Sequence, residues 1–250
     1  MPQTPANNSV DHSNKSVLDT SQARDISYTL RRHYVDQFHL KIFTDPKVCG
    51  GLILDLGGNK ISKRGRFDIG CFAGSVIYSN LSLGKSPDVL NDAEYLPFNA
   101  EVFDSVICSE LLEHLYNPRR ALREVHRVIK PQGTLLICVP FMVGIHGDPH
   151  DYGRYTDSFW RKSLEEIGFR NIEIEFQGSF YSVMFDMLRS KIYGLIAHWG
   201  KERKMSICII GRILGLLKAK AVELDFKANY ALTPKAPSVT TGFGIRATKK

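Results

Sequence analysis

Two short stretches of the chain hold residues whose types and spacing could do chemistry. Asp55-Leu56-Gly57-Gly58-Asn59 follows an apolar run. Its glycines let the backbone come close to a bound molecule, and Asp55 offers a carboxylate. Taken alone, such a stretch reads equally well as a plain tight turn. The second stretch concentrates His146, His150, Asp151, Tyr152 and Arg154. An imidazole can take a proton, a carboxylate can orient it, and a guanidinium can hold an anionic group. The competing reading is that Asp151, Arg154 and Tyr155 only lock their loop onto the core. His146 and His150, with Asp148 and Asp151, also have the types of metal ligands. A Gly/Pro-containing loop without further Cys or His argues against that, and no metal is expected.

These stretches need a scaffold, and hydrophobic periodicity supplies one. Gly51–Leu56, Ser75–Leu81, Asp88–Leu90, Phe103–Cys108, Thr134–Val139, Asn171–Phe176 and Thr241–Thr248 read as strands. Ile26, Leu30, Tyr34, Phe38 and Ile42 recur every four residues and predict a helix that Asp45-Pro46 ends. Asn117-Pro118 starts another, running through Lys130 to a stop at Pro131-Gln132-Gly133. Asp157 caps a third, closed by Gly168. Residues 60–74 show no clear period. Strands with apolar interiors alternating with helices argue for a parallel, doubly wound α/β sheet, which binds ligands at the carboxyl ends of its strands.

The 250 residues suffice for one sizeable core plus an accessory segment. Hydrophobic residues at 43% and charged residues at 24% fit a globular chain. Residues 1–24 are polar and are expected to form a disordered tail. The core is expected over 25–177, a helical insertion over 178–230, and the last core strand within 231–250. No apolar run reaches the ~18 residues of a membrane span, and the N-terminus has no apolar signal region. The five cysteines form no CxxC pair, so reduced thiols and a cytoplasmic location are expected. The net charge of +7 is carried by residues 201–250, with eleven Lys/Arg against three Asp/Glu; the rest is nearly balanced. That placement argues against a general nucleic-acid binder.

Four blocks follow the glycine turn in order: Asp92-Ala93-Glu94-Tyr95-Leu96-Pro97-Phe98, Phe103 to Cys108, Leu112-Glu113-His114 and Arg127-Val128-Ile129-Lys130-Pro131-Gln132-Gly133. With Asp55-Leu56-Gly57-Gly58 they resemble class I S-adenosylmethionine (SAM) dependent methyltransferases of the type 11-like group, over about residues 50–177. The resemblance implies a Rossmann-like seven-stranded sheet, mostly parallel with an antiparallel last strand, and SAM as cofactor. The stretch from Pro140 to Thr156 is similar to methyltransferases acting on bacterial surface sugars or other small acceptors.

Carried over residue by residue, the resemblance implies that Asp55, Gly57 and Gly58 line the methionine and ribose end of SAM. Asp92 would accept from the adenine amino group and Ala93 would offer a backbone donor. Glu110 would face the methionine end or the acceptor, with Leu111 and His114 as pocket neighbours. Asn80 stands where an acid normally holds the ribose, and Asn59 and Ile61 replace the usual loop glycines. Asp92 also reads as a turn cap, and Glu113-His114 as a surface turn. Methyl transfer to a hydroxyl needs alignment and is helped by a base. His146 or His150 is the expected base, Asp151 its orienter, and Arg154 a partner for an anionic acceptor.

The expected function is therefore methyl transfer to a small-molecule, glycan or lipid-linked acceptor, at oxygen. The alternative is a catalytically inactive binding or regulatory protein of the same fold, which Asn80 and the thin glycine loop favour. A nicotinamide dehydrogenase is disfavoured because the GxGxxG spacing is missing. The insertion is expected to form two helices that cover the acceptor pocket. Its apolar and basic residues raise a second expectation, peripheral contact with an anionic membrane through 178–220.

Overall fold

The computed structural model describes residues 28–61, 65–72, 74–147, 149–198, 204–231 and 237–250. The tail expected over 1–24 lies outside them, as do Ile26 and Asp148. Seven strands form one sheet: β1 (Leu52–Leu56), β2 (Ser75–Asn80), β3 (Val89–Leu90), β4 (Phe103–Ser109), β5 (Ile129–Pro140), β6 (Phe169–Gln177) and β7 (Gly242–Lys249). Their order is β3-β2-β1-β4-β5-β7-β6. Pairs among β1 to β5 are parallel, and β7 runs antiparallel between β5 and β6. This is the expected mostly parallel seven-stranded sheet with an antiparallel last strand. The chain reverses its direction of winding at β1, so the crevice between the tips of β1 and β4 is the place where such a sheet takes a ligand.

Helices cover both faces. On one face α3 (Pro118–Val128) and α4 (Asp157–Ile167) bury Leu122, Val125, Trp160 and Leu164 against Leu54, Val106, Leu135 and Ile245. On the other, α1 (Leu30–Ile42) and the short α2 (Pro46–Cys49) bring Phe38, Ile42 and Val48 onto Ile53, Ile107 and Leu136. The insertion forms α5 (Phe180–His198) and α6 (Lys204–Ala231). Phe185 of α5 and Leu214, Ala221 and Val222 of α6 pack on Leu30 of α1. Asp225 of α6 accepts hydrogen bonds from the backbone N–H of Ser179, Tyr181 and Ser182, satisfying the open donors at the start of α5.

Several boundaries differ from expectation for local reasons. The helix expected to reach Lys130 ends at Val128, and Pro131-Gln132-Gly133 lies inside β5 instead of stopping a helix. Gln132 takes a left-handed φ of 65° there. The cap of α4 is Thr156, whose hydroxyl accepts from Phe159 N, so Asp157 is the first helical residue. Asp45 does not end α1 directly; it caps α2, with Pro46 in the first turn. Strand β6 extends past both expected ends, and the last strand runs from Gly242 to Lys249. The described cysteines Cys49, Cys71, Cys108 and Cys138 are free thiols. Among the described residues, no helix is long and apolar enough to cross a membrane.

Candidate active site

A cavity of about 570 Å³ opens at the carboxyl tips of β1, β2 and β4, within the usual size of a small-molecule site, roughly 300–1,000 Å³. The turn after β1 forms its floor. Gly57 has φ +82°, and a Cβ there would sit 2.9 Å from Leu111 Cδ1. A Cβ on Gly58 would overlap the Asp55 carboxylate. Only glycine leaves this backbone open to a ligand. Gly57 N donates to Ser79 O at 2.7 Å, which ties the turn to β2.

Asn80 ends β2, and its amide is already engaged. Its Nδ2 donates to Gly57 O at 2.9 Å and Gly58 O at 3.1 Å, while its Oδ1 accepts from Ser82 N at 3.0 Å. A carboxylate could not donate to those two carbonyls. On the next loop, Asp92 is exposed at the cavity rim and Ala93 is buried. Asp92 Oδ1 accepts from Glu94 N at 2.9 Å, so this residue caps its own turn while also lining the cavity. The loop is clamped from α3: Arg127 donates to Leu96 O and Phe98 O, and Glu124 accepts from Leu96 N. The polar face of that helix therefore positions the loop as well as facing solvent.

Glu110 follows β4 with φ 52°. Arg31 of α1 donates to its Oε1 from Nε at 3.1 Å and Nη2 at 2.6 Å. The guanidinium also reaches Gln177 Oε1, and a side chain on Gly242 would overlap it. Burial pushes the Glu110 carboxyl upward, but the charge and hydrogen bonds of Arg31 outweigh this and hold it below the usual range. His39, also from α1, meets Ser109 Oγ at 3.0 Å and stacks on Phe67 at 4.9 Å. Burial lowers its pKa to about 4, so the ring is neutral near pH 7.

The loop after β5 supplies the far wall. His146 lines the cavity, as does His114. His150 is exposed; its ring packs against Tyr152 and its carbonyl meets His114 Nδ1 at 2.5 Å. Asp151 and Arg154 form a two-point ion pair, and Asp151 Oδ2 accepts from His146 N at 2.9 Å. The Arg154 hydrogen bonds hold the Asp151 carboxyl at about 2. Asp151 and Arg154 thus brace the loop behind His146, outside the cavity lining. Behind His114, Glu113 is 1% exposed at its side chain, and neither carboxylate oxygen has a hydrogen-bond partner. Burial first, and the nearby Glu110 second, raise its pKa to about 8.

All seven residues assigned from the sequence to the cofactor side line one cavity: Asp55, Gly57, Gly58, Asn80, Asp92, Ala93 and Glu110. Of the four assigned to catalysis, only His146 does so. Sequence reasoning missed the contribution of α1, whose Arg32, Asp36 and His39 join the wall, and of Phe67 and Ile69. The four-residue period marked α1 as a helix but gave no reason to expect buried polar residues on it. It also missed that Glu113 is buried, since an isolated Glu-His pair after a strand carries no burial signal.

Comparison with known proteins agrees with this architecture. The methyltransferase domain family matches residues 68–137. A demethylmenaquinone methyltransferase of Mycobacterium bovis is 37% identical over 98 residues, covering 36% of this chain and 41% of the relative. The chain thus matches about two fifths of that relative's length. A SAM complex of Haemonchus contortus phosphoethanolamine N-methyltransferase 2 superposes with a TM-score of 0.53 at 18% identity, over 86% of this chain and 52% of that one. The cyclase SpnF superposes with a TM-score of 0.50 at 19% identity, over 85% and 79%. These superpositions establish a shared fold. Residues 68–137 are thus similar to the methyltransferase domain family, and the strand order is that of the superposed methyltransferase-type folds.

Proposed function

We propose that the chain transfers the methyl group of SAM to a hydroxyl of a small-molecule acceptor. The observation that carries this is the single cavity that joins the glycine turn of β1, the Asp92 rim and the His146 loop. The residues fit the cofactor. Open backbone at Gly57 and Gly58 with Asp55 beside it would take the methionine and ribose end. Asp92 Oδ1 is engaged by Glu94 N, and its second oxygen would accept from the adenine amino group, with Ala93 N as a donor. Bound there, SAM supplies an electrophilic methyl on a sulfonium.

On the acceptor side His146 is the base, because it lines the cavity and His150 does not. Asp151 positions it through the bond to His146 N, and Arg154 acts through Asp151. Glu110, held ionised by Arg31, faces the same space and would favour an acceptor or cofactor group with N–H or positive charge. Titration with S-adenosylhomocysteine (SAH), followed by methyl transfer to a panel of phenols, sugars, quinols and amines, tests the assignment. Micromolar SAH binding and turnover of a hydroxyl acceptor are expected; no SAH binding at millimolar concentration would refute it.

A second reading, a binding protein without turnover, is favoured by one observation: no carboxylate stands at the tip of β2, and Asn80 is spent on the turn. SAH binding without turnover on any acceptor would support it. The insertion bears on lipid-linked or glycan acceptors. Met184 and Met187 of α5 and Arg212, Ile213, Leu216 and Lys220 of α6 are all exposed, and apolar and basic residues together suit an anionic lipid surface. Flotation with anionic vesicles is the check, and no association at low salt would remove this extension.

A further inference from the structure

Glu113 has a buried carboxyl group with no hydrogen-bond partner on either oxygen, an arrangement that is rare in folded chains and asks for an explanation. Its Oε1 lies 3.6 Å from His114 Nε2. The rings of His114 and His146 meet edge to face at 5.3 Å. One donor atom from each of Glu113, His114 and His146 lies within 4.8 Å of the other two.

The tautomers suit a metal ion. His114 Nδ1 contacts the His150 carbonyl at 2.5 Å, and His146 Nδ1 contacts the Gly144 carbonyl at 3.1 Å. A carbonyl only accepts, so each Nδ1 carries the proton and each Nε2 keeps a lone pair. The Arg154 approach to His146 Nδ1 is longer, at 3.5 Å. Ligating histidines are usually fixed in this way, by an acceptor on the other ring nitrogen. The neighbouring cations are already matched, Arg154 by Asp151 and Arg31 by Glu110.

We propose that Glu113, His114 and His146 form a binding site for a divalent transition-metal ion of the Zn²⁺ type, opening on the acceptor side of the cavity. Two imidazoles and a carboxylate favour Zn²⁺ over Mg²⁺ or Ca²⁺, which prefer all-oxygen shells. Tetrahedral Zn²⁺ places its ligand atoms about 3.3 Å apart. The Glu113–His114 pair is already near that spacing, and the set closes by side-chain rotation. Three protein ligands leave a fourth position facing the cavity. A hydroxyl bound there would lose its proton more readily; with the ion bound, His146 is a ligand and the ion takes over its part as base, a use that rests on the methyl-transfer reading, whereas the metal site does not.

The test is a Co²⁺ titration of the full chain after chelator treatment and without SAM. One Co²⁺ per chain is expected, with the visible absorption of a tetrahedral site and displacement by Zn²⁺. His114→Ala, His146→Ala and Glu113→Gln should each weaken binding by roughly 10-fold or more, with far-UV circular dichroism confirming the fold. His146 stands on a partly exposed loop, so its variant remains informative if Glu113→Gln fails to fold. Absence of saturable binding below ~100 µM, or binding by both histidine variants as tight as that of the wild type, overturns the site. Wild-type SAH titration run in parallel separates the two readings. Metal binding without SAH binding removes the methyl-transfer reading and keeps the site; the reverse removes the site alone.

Discussion

The two walls of the cavity are built on different principles. The wall proposed for the cofactor is mostly backbone: a glycine turn, a short loop and the amide of Asn80 holding the turn's carbonyls. The wall proposed for the acceptor is mostly side chains gathered from distant segments: Glu110, His114 and His146 line it, with Arg31 and Glu113 packed behind them. Paired charge holds part of it, through Arg31–Glu110 and Asp151–Arg154. A backbone wall tolerates little change in shape but carries little buried charge. A side-chain wall can be re-specified for a new acceptor, and each buried charge in it needs a partner.

The largest effect should come from breaking the pair that anchors the acceptor wall. Arg31→Met leaves Glu110 buried and uncompensated and should cost about 3–5 kcal/mol in urea unfolding. The double variant Arg31→Met/Glu110→Gln should recover most of that loss. If the single and double variants are equally destabilised, the pair is not what holds this wall. Next, Gly58→Val should weaken SAH binding by roughly 100-fold or more in calorimetry, because its side chain would collide with the Asp55 carboxylate. An unchanged affinity would mean that the turn is not a cradle.

An intermediate effect depends on pH. His33 and His39 are buried, and burial lowers each pKa from 6.5 to about 4. The unfolded chain therefore binds more protons between those values, and stability falls as pH drops from about 6.5 towards 4. His39→Gln should remove part of this slope, on the order of 1–3 kcal/mol between pH 7 and 4. A slope identical to that of the wild type would show that His39 titrates normally. The smallest effect is expected at Asn80→Asp. Restoring an acid places a carboxylate against the Gly57 and Gly58 carbonyls, so SAH affinity should fall by roughly three- to tenfold. Tighter binding would show that the ribose contact outweighs the turn.

The same contrast explains what was legible beforehand. The cofactor wall depends on contiguous spacing, so the glycines at 57 and 58 and the acid at 92 are readable where they stand. The strand order follows from alternating strands and helices together with the family resemblance. The acceptor wall depends on approach between remote residues, and neither period nor spacing reports that Arg31 reaches Glu110, Gln177 and the space above Gly242. His150 looked equivalent to His146 because both are loop histidines four residues apart. The His146 ring lines the cavity, whereas the His150 ring packs on Tyr152. The span 65–72 had no period because its aromatics pack as a local stack with Phe43 and His39, which needs no regular element.

The position of β7 between β5 and β6 also sets an order of assembly. When β6 leaves the ribosome its sheet neighbour does not yet exist, and β5 presents an open edge. About seventy further residues, including α5 and α6, must be made before that edge is filled. Such long-range closure is slow and leaves an unpaired strand exposed to association with other chains. Yield of soluble protein should therefore be more sensitive to substitutions in Gly242–Lys249 than to those in the earlier edge strand β3.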